Sequence, residues 1–207
     1  MQIQAGYNNN TNFGATKIDT VKLMKRVKND SFTPIKAHFN ELHFNDKDDR
    51  QLIYKLQDKW QSLTSYGGVI CKDFLERIND YRYFAIEALD EGKKKITNLC
   101  EVEIKPGKKT GKYNCHVMFL QSAPDIAKKA DTTPIKGSGE LAMYEIVKLA
   151  KESGCKSVRL VSTANSFYEK LGLKNVSKTN NLSQFELKKK NFEKFLDKIA
   201  EKYNLKK

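Results

Sequence analysis

Residues 133–174 read TPIKGSGELAMYEIVKLAKESGCKSVRLVSTANSFYEKLGLK, and no other stretch constrains the fold as tightly. Gly137 and Gly139 flank Ser138 in a tight turn. Leu141, Ala142, Ile146, Leu149 and Ala150 then fall at helical spacing, with Ser138 placed to cap the helix and Gly154 to stop it in a left-handed conformation. Residues 157–161 form a short apolar strand, and residues 166–171 a second, shorter helix closed by Gly172. Turn, helix, strand and helix in this order predict a local α/β design.

Upstream, the texture is that of strands. Residues 81–89 and 96–104 flank the turn-rich DEGKKK, and residues 113–120 follow PGKKTGK, which predicts a three-stranded antiparallel meander. In the second strand Cys100, Val102 and Ile104 share one face while Glu101 and Glu103 share the other. Residues 121–133 are a polar connection. Before the meander, residues 32–44 read as a strand. A helix capped by Asp48 or Asp49 follows, with Leu52, Ile53, Leu56, Trp60 and Leu63 on its apolar face and Gly67-Gly68 as its stop. Residues 69–78 make a further short helix through Ile70, Phe74, Leu75 and Ile78. Residues 1–30 read as an appendage: an asparagine-rich loop, a short strand over residues 13–18, and a basic turn or short helix over residues 21–27. After the turn-like KTNN, residues 182–187 are a last strand, and Asn191 caps a helix with Phe192, Phe195, Leu196, Ile199 and Tyr203 on one face.

At 207 residues the chain accommodates one domain with an appendage, and its 39% hydrophobic and 30% charged residues are those of a soluble globular protein. No apolar run is long enough to span a membrane. The amino terminus has neither a basic n-region nor an apolar h-region, which predicts no secretory signal and a cytoplasmic protein. Cys71, Cys100, Cys115 and Cys155 lie far apart, so neither a disulfide framework nor a zinc site is expected, and no metal is implied. The net charge of +13 is uneven: +2 over residues 1–80, +5 over 81–173 and +6 over 174–207. Such a field attracts polyanions, nucleic acid or a phosphorylated small molecule, unless it is simply a lysine-rich solvated surface.

A Gly-x-Gly turn opening a helix presents backbone N–H groups and the positive end of the helix dipole, a setting that stabilises a phosphate, and Lys136 adds a full charge beside it. The spacing matches neither a Walker A loop nor a dinucleotide fingerprint, which removes nucleotide hydrolysis and hydride transfer.

The succession of three meander strands, then KGSGELAMYEIVKLAKESG, then VRLVST, then ANSFYEKLGLK, resembles the GNAT family of N-acetyltransferases, whose pattern is a Q/R-x-x-G-x-G/A loop, a strand and an Asn-x-x-x-Tyr-x-x-x-Gly segment. Gly137 and Gly139 match the loop, and Asn165, Tyr168 and Gly172 match the later segment. The resemblance covers residues 81–187, roughly half of the chain. Two positions depart from it: Pro134 stands where the loop normally has Gln or Arg, and Gln121 where related members often place an acid.

The resemblance implies an α/β (α+β) fold with a GNAT-like mixed, mostly antiparallel sheet, flanked by helices and splayed between two central strands. Residues 31–190 would be the acetyltransferase domain and residues 191–207 an amphipathic helix packed on it. Acetyl-CoA is the implied cofactor. Its pyrophosphate would lie on the turn formed by Lys136, Gly137, Ser138, Gly139 and Glu140, with Leu141 in the first helical turn. Leu120, Gln121 and Ser122 would meet the pantetheine arm, Asn165 would contact that arm, and Tyr168 would be the general acid for the leaving thiolate. For the base, Glu87, Glu101, Glu103, His116 and Asp131 are available, and Glu101 or Glu103 is favoured because their face of the strand would look into the acceptor cleft. The implied reaction is direct transfer of acetyl to an amine of a small molecule or peptide in a ternary complex. The basic charge leaves two alternatives open: a nucleic-acid-binding or interaction module on a catalytically impaired scaffold, and an acetyltransferase acting on an RNA-borne amine. Homodimers are common in the family.

Overall fold

The computed structural model describes residues 15–27, 31–62, 65–77, 80–90, 92–106, 113–127, 134–179 and 182–205. Two long strands come first, β1 (Thr16–Arg26) and β2 (Phe32–Leu42), antiparallel to one another. In β1 only Val21 and Leu23 are fully inserted into the core, while Lys17, Thr20 and Lys22 are exposed. Residues 16–26 are thus one strand of the sheet, which corrects the expected appendage with its short strand and basic turn or helix. Strand geometry won because two apolar positions two residues apart suffice to fix the inward face.

Helix α1 (Lys47–Gln61) begins at Asp46, whose side chain accepts from the N–H groups of Asp48 and Asp49. Asp49, one of the two expected caps, is instead buried and accepts from the His43 N–H at 2.7 Å. Ile53 and Trp60 anchor the inner face of α1, and Leu52 and Leu56 pack at its margin. Trp60 is 1% exposed, so Trp60→Ala leaves a large void; it should cost about 3–5 kcal/mol in a urea unfolding titration. Helix α2 (Ser65–Glu76) takes Gly67 and Gly68 into its first turn, so the pair does not form the expected stop between the helices. Leu63 and Ile78 lie outside the described residues.

The meander is present as β3 (Arg82–Asp90), β4 (Lys93–Pro106) and β5 (Tyr113–Ser122), antiparallel throughout. A two-residue strand β6 (Ile135–Lys136) then pairs with β1, and the Arg26 N–H donates to the Pro134 carbonyl at 2.8 Å. After it come α3 (Ser138–Glu152), β7 (Ser157–Ser162), α4 (Asn165–Leu171), β8 (Lys174–Thr179), β9 (Leu182–Lys188), a 3-10 turn over Lys189–Asn191, and α5 (Phe192–Tyr203). The nine strands form one mixed sheet in the order β6-β1-β2-β3-β4-β5-β7-β9-β8, mostly antiparallel, with β5 and β7 parallel. Helix α3 lies on one face and α2 on the other, and α5 packs its six buried residues against α3. The four cysteines are buried and unbridged. Among the described residues no helix is long and apolar enough to cross a membrane.

Candidate active site

Strands β5 and β7 pair only from Cys115 to Val117 against Val158 to Leu160. Beyond Val117, β5 continues to Ser122 bonded to β4 alone, while the end of β7 pairs with Gln184 and Ser183 of β9. Between the pairs Glu101–Phe119 and Val102–Val117 the β5 residue Met118 has no partner on β4; this bulge lies at the level where β5 and β7 part, and a bulge bends and twists the strand that carries it. The sheet is therefore splayed at its centre.

The turn before α3 opens beside this gap. Gly137 occupies the N-cap position with φ 95°, a left-handed conformation that favours glycine. The helix has no side-chain cap: Ser138, expected in that role, is buried and donates from its Oγ to Thr97 Oγ1 at 2.9 Å. Leu141 is fully buried and its N–H closes the first helical bond to the Gly137 carbonyl at 2.8 Å, leaving the N–H groups of Ser138, Gly139 and Glu140 as the first-turn donors. A Cβ at Gly139 would lie 3.2 Å from Phe167 and 3.7 Å from Leu120, so the helix start, the tip of β5 and α4 meet at this point.

Helix α5 supplies a wall that the motifs do not reveal. A Cβ at Gly137 would stand 2.7 Å from the Tyr203 ring, so glycine is required there by the aromatic packing as well as by φ. The Glu140 side chain turns to α5, accepting from the Tyr203 hydroxyl at 2.6 Å and pairing with Lys202 at 2.6 Å. Burial and the Glu140 carboxylate hold the Tyr203 hydroxyl well above its ordinary pKa, so it remains a donor. Lys136 lies 4.0 Å from the centre of the Phe32 ring. Together Lys136, Gly137, Gly139, Phe167, Lys202 and Tyr203 line most of a cleft of about 440 Å³.

On the α3 side of the gap, Leu120 is partly buried, Gln121 folds back to donate to the Ser122 carbonyl, and Ser122 Oγ accepts from Asn98. Asn165 opens α4, and its Oδ1 is buried without a hydrogen-bond partner among the described residues. Three residues on, Tyr168 is 6% exposed, stacked edgewise on Phe167 and tilted against Phe185. Its hydroxyl shares a hydrogen bond with Ser162, and burial pushes its pKa up to about 12, with Cys100 on β4 adding to the rise. At neutral pH it is a protonated donor.

The carboxylates separate on the opposite face of β4. Glu101 is 0% exposed, lies beside Tyr83 in register, and has neither oxygen hydrogen-bonded among the described residues; the Tyr83 hydroxyl also lacks a partner there. Burial, reinforced by Asp73 on α2, raises Glu101 to about 8. Glu101 also pairs in register with Phe119 on β5, one residue before Leu120, so it stands across the sheet from Cys100 and Tyr168. Glu103 is partly buried and paired with the exposed Lys105 at 2.6 Å. Glu87 is buried beside Lys94 at 3.6 Å. His116 sits in a separate groove on the open face of β5, β7 and β9, its pKa lowered by burial. Asp131 lies outside the described residues. Among the described residues no group of three or more His, Cys, Asp and Glu side chains is arranged to hold a metal.

No family model matches this chain, and no curated protein matches it in sequence. Its shape does have relatives. An acetyltransferase of the GNAT family from Listeria monocytogenes is 13% identical and superposes with a TM-score of 0.51 over 74% of this chain and 95% of that one. This chain has the GNAT fold. Two other solved structures are a Trypanosoma brucei acetyltransferase (18% identical, 69% of this chain and 96% of that one, TM-score 0.48) and the Campylobacter jejuni N-acetyltransferase PseH in complex with acetyl coenzyme A (16%, 73% and 99%, 0.46). In the GNAT fold, the splay between β5 and β7 is the feature that the antiparallel meander alone does not announce. Phe167, Ser162, Lys202 and Tyr203 are the site residues that sequence reasoning missed. Phe167 stood inside the FYEKLG run, whereas the α5 pair is about sixty residues from the loop it covers and carries no local signal.

Proposed function

We propose that the protein is an acetyl-CoA-dependent N-acetyltransferase that passes acetyl directly to an amine. The observation that carries this reading is the splay of β5 from β7 with the uncapped start of α3 opening beside it. The residues fit a CoA-like ligand: the cleft beside Gly137 and Gly139 offers first-turn N–H donors, Lys136 and Lys202, and the buried orphan Oδ1 of Asn165 awaits a donor such as an amide N–H. When bound, acetyl-CoA supplies an already activated acyl group as a thioester.

The protein's contribution is then position and proton management. Lys136 and the helix start bind the phosphates, Lys136 standing in for the side-chain contact that Pro134 lacks, while Lys202 offsets the Glu140 carboxylate that lines the same cleft. The free edge of β5 from Leu120 to Ser122 orients the arm. Tyr168, held by Phe167, Phe185 and Ser162, donates the proton that the departing sulfur needs. Glu101 takes the amine's proton, directly or through water, because its pKa of about 8 lies near working pH. Glu103 and Glu87 are each engaged by a lysine, Lys105 and Lys94.

Gly139→Val tests the cleft more cleanly than a change at Gly137, where the Tyr203 ring would be displaced as well. A side chain at 139 meets only the tip of Phe167 and Leu120. Amine-dependent release of free thiol from acetyl-CoA, assayed over polyamines, amino acids and peptides, should occur with the native protein and fall at least a hundredfold in Gly139→Val, while thermal unfolding shifts by only a few degrees. Thiol release equal in both proteins would overturn the assignment of this cleft.

A further inference from the structure

Helix α5 segregates its charges. With its apolar residues turned to the core, Lys194, Lys198 and Lys202 lie along one flank at i, i+4 spacing, and Glu193, Asp197 and Glu201 lie along the other. Lysines four apart repel one another mildly and add nothing to the helix itself. On the acidic flank Glu193 pairs with Lys151 of α3 at 2.6 Å. The lysine flank instead overhangs a groove of about 470 Å³ between α4, β8 and α5, whose floor includes Leu171 and Gly172 and whose rim carries Lys174, Lys190, Lys194 and Lys198. Among the described residues no acidic side chain lines it. Among the described residues Lys174, Lys190 and Lys194 make no ion pair, and Lys198 donates only to the Lys170 carbonyl at 2.6 Å.

We propose that this groove is a binding site for the phosphodiester backbone of a nucleic acid strand. Four ammonium groups around one concavity, none with a carboxylate partner among the described residues, repel one another, and an anion with several phosphates in a row relieves that repulsion. The row continues to Lys202, about 12 Å from Lys194 along the helix at 1.5 Å per residue, so a bound strand would run toward the cleft beside Gly137. Lysines act as point charges on phosphates and read no base, so the site takes the backbone irrespective of sequence. This site does not depend on the acetyltransferase reading.

The test is fluorescence anisotropy of labelled 20-nucleotide single-stranded RNA and DNA of mixed sequence, titrated with the full chain from 50 to 200 mM salt. The native protein should bind, with affinity falling steeply as salt rises. The triple variant Lys190→Glu, Lys194→Glu, Lys198→Glu should raise the Kd at least tenfold and reduce the slope of log K against log salt by about 2, since each single-strand phosphate contact contributes about 0.7. Replacing the same three by Gln should give a smaller loss in the same direction, which guards against misfolding of the reversed variant. A control triple on β1 and α1, Lys17→Glu, Lys22→Glu, Lys55→Glu, makes the same change in net charge and should retain binding. CoA affinity, measured in parallel, should be unchanged in the groove variants. RNA and DNA binding alike marks a pure backbone site, and RNA alone marks a site that also meets the 2′-hydroxyl. No binding at 50 mM salt, equal losses in the groove and control triples, or binding only to anionic lipid vesicles would each overturn the proposal.

Discussion

With Tyr168 in the proposed role of general acid, Tyr168→Phe should lower the acetyl-transfer kcat by about a hundredfold to a thousandfold and leave the affinity for CoA within a factor of two. The size follows from removing a positioned general acid, and the lack of an effect on binding follows from the packing. Phenylalanine keeps the edgewise contact with Phe167 and the tilted contact with Phe185, so the wall of the gap stays in place. Only the hydroxyl is lost, together with its bond to Ser162, whose Oγ still accepts from the Ala164 N–H. The stability cost should therefore be about 1 kcal/mol. Steady-state rates and calorimetry on the same preparation check both halves. A variant with native kcat would return Tyr168 to the role of a core tyrosine.

Glu101→Gln has the second large effect, and it acts on stability and rate in opposite senses. The carboxyl of Glu101 is raised from 4.5 to about 8 in the folded protein. The folded chain thus holds a proton that the unfolded chain releases, so its contribution is fully present below pH 4.5 and is lost as pH rises through about 8. Above pH 8 the native protein carries a buried, unpaired carboxylate, a penalty on the order of 3 kcal/mol. Glutamine removes that titration, so the variant should melt several degrees higher than the native protein at pH 9 and similarly at pH 4. For catalysis the charged form is needed. The native kcat/KM should rise with pH to a plateau above about 8, and Glu101→Gln should lose about a hundredfold along with that limb. If the pH profile keeps its limb in the variant, the proton acceptor is another group.

Much of this fold was legible because its central stretch obeys single-period rules. The apolar spacing from Leu141 to Ala150, the stop at Gly154 and the closure at Gly172 are local and need no tertiary help, and the meander follows from two polar turns between alternating strands. The strands at the sheet's margins were not legible. Strand β1 inserts only Val21 and Leu23 fully among lysines, and β8 is exposed from Lys174 to Lys178, with no inward face there to betray it. Gly67-Gly68 looked like a stop because glycine is costly inside a helix, yet its place in the first turn of α2 makes that cost small.

The site divides in the same way. Gly137, Gly139, Asn165 and Tyr168 form a spaced motif; the two glycines line the cleft together with Phe167, whereas Asn165 and Tyr168 are on α4 outside its lining. The choice between Glu101 and Glu103 could not be made from alternation, which gives both the same face; packing buries the first, with the charge of Asp73 on α2 adding to its raised pKa, and leaves the second paired with Lys105. The α5 wall at Tyr203 and Lys202 is a contact between parts of the chain about sixty residues apart, and only packing creates it.

The central claim is that the opening beside Gly137 and Gly139 holds CoA, and calorimetric titration of the native protein with CoA tests it most directly. One site per chain with micromolar affinity, weakened at least tenfold by Gly139→Val, is the expected result. No heat of binding at millimolar CoA, in protein shown to be folded, would contradict it.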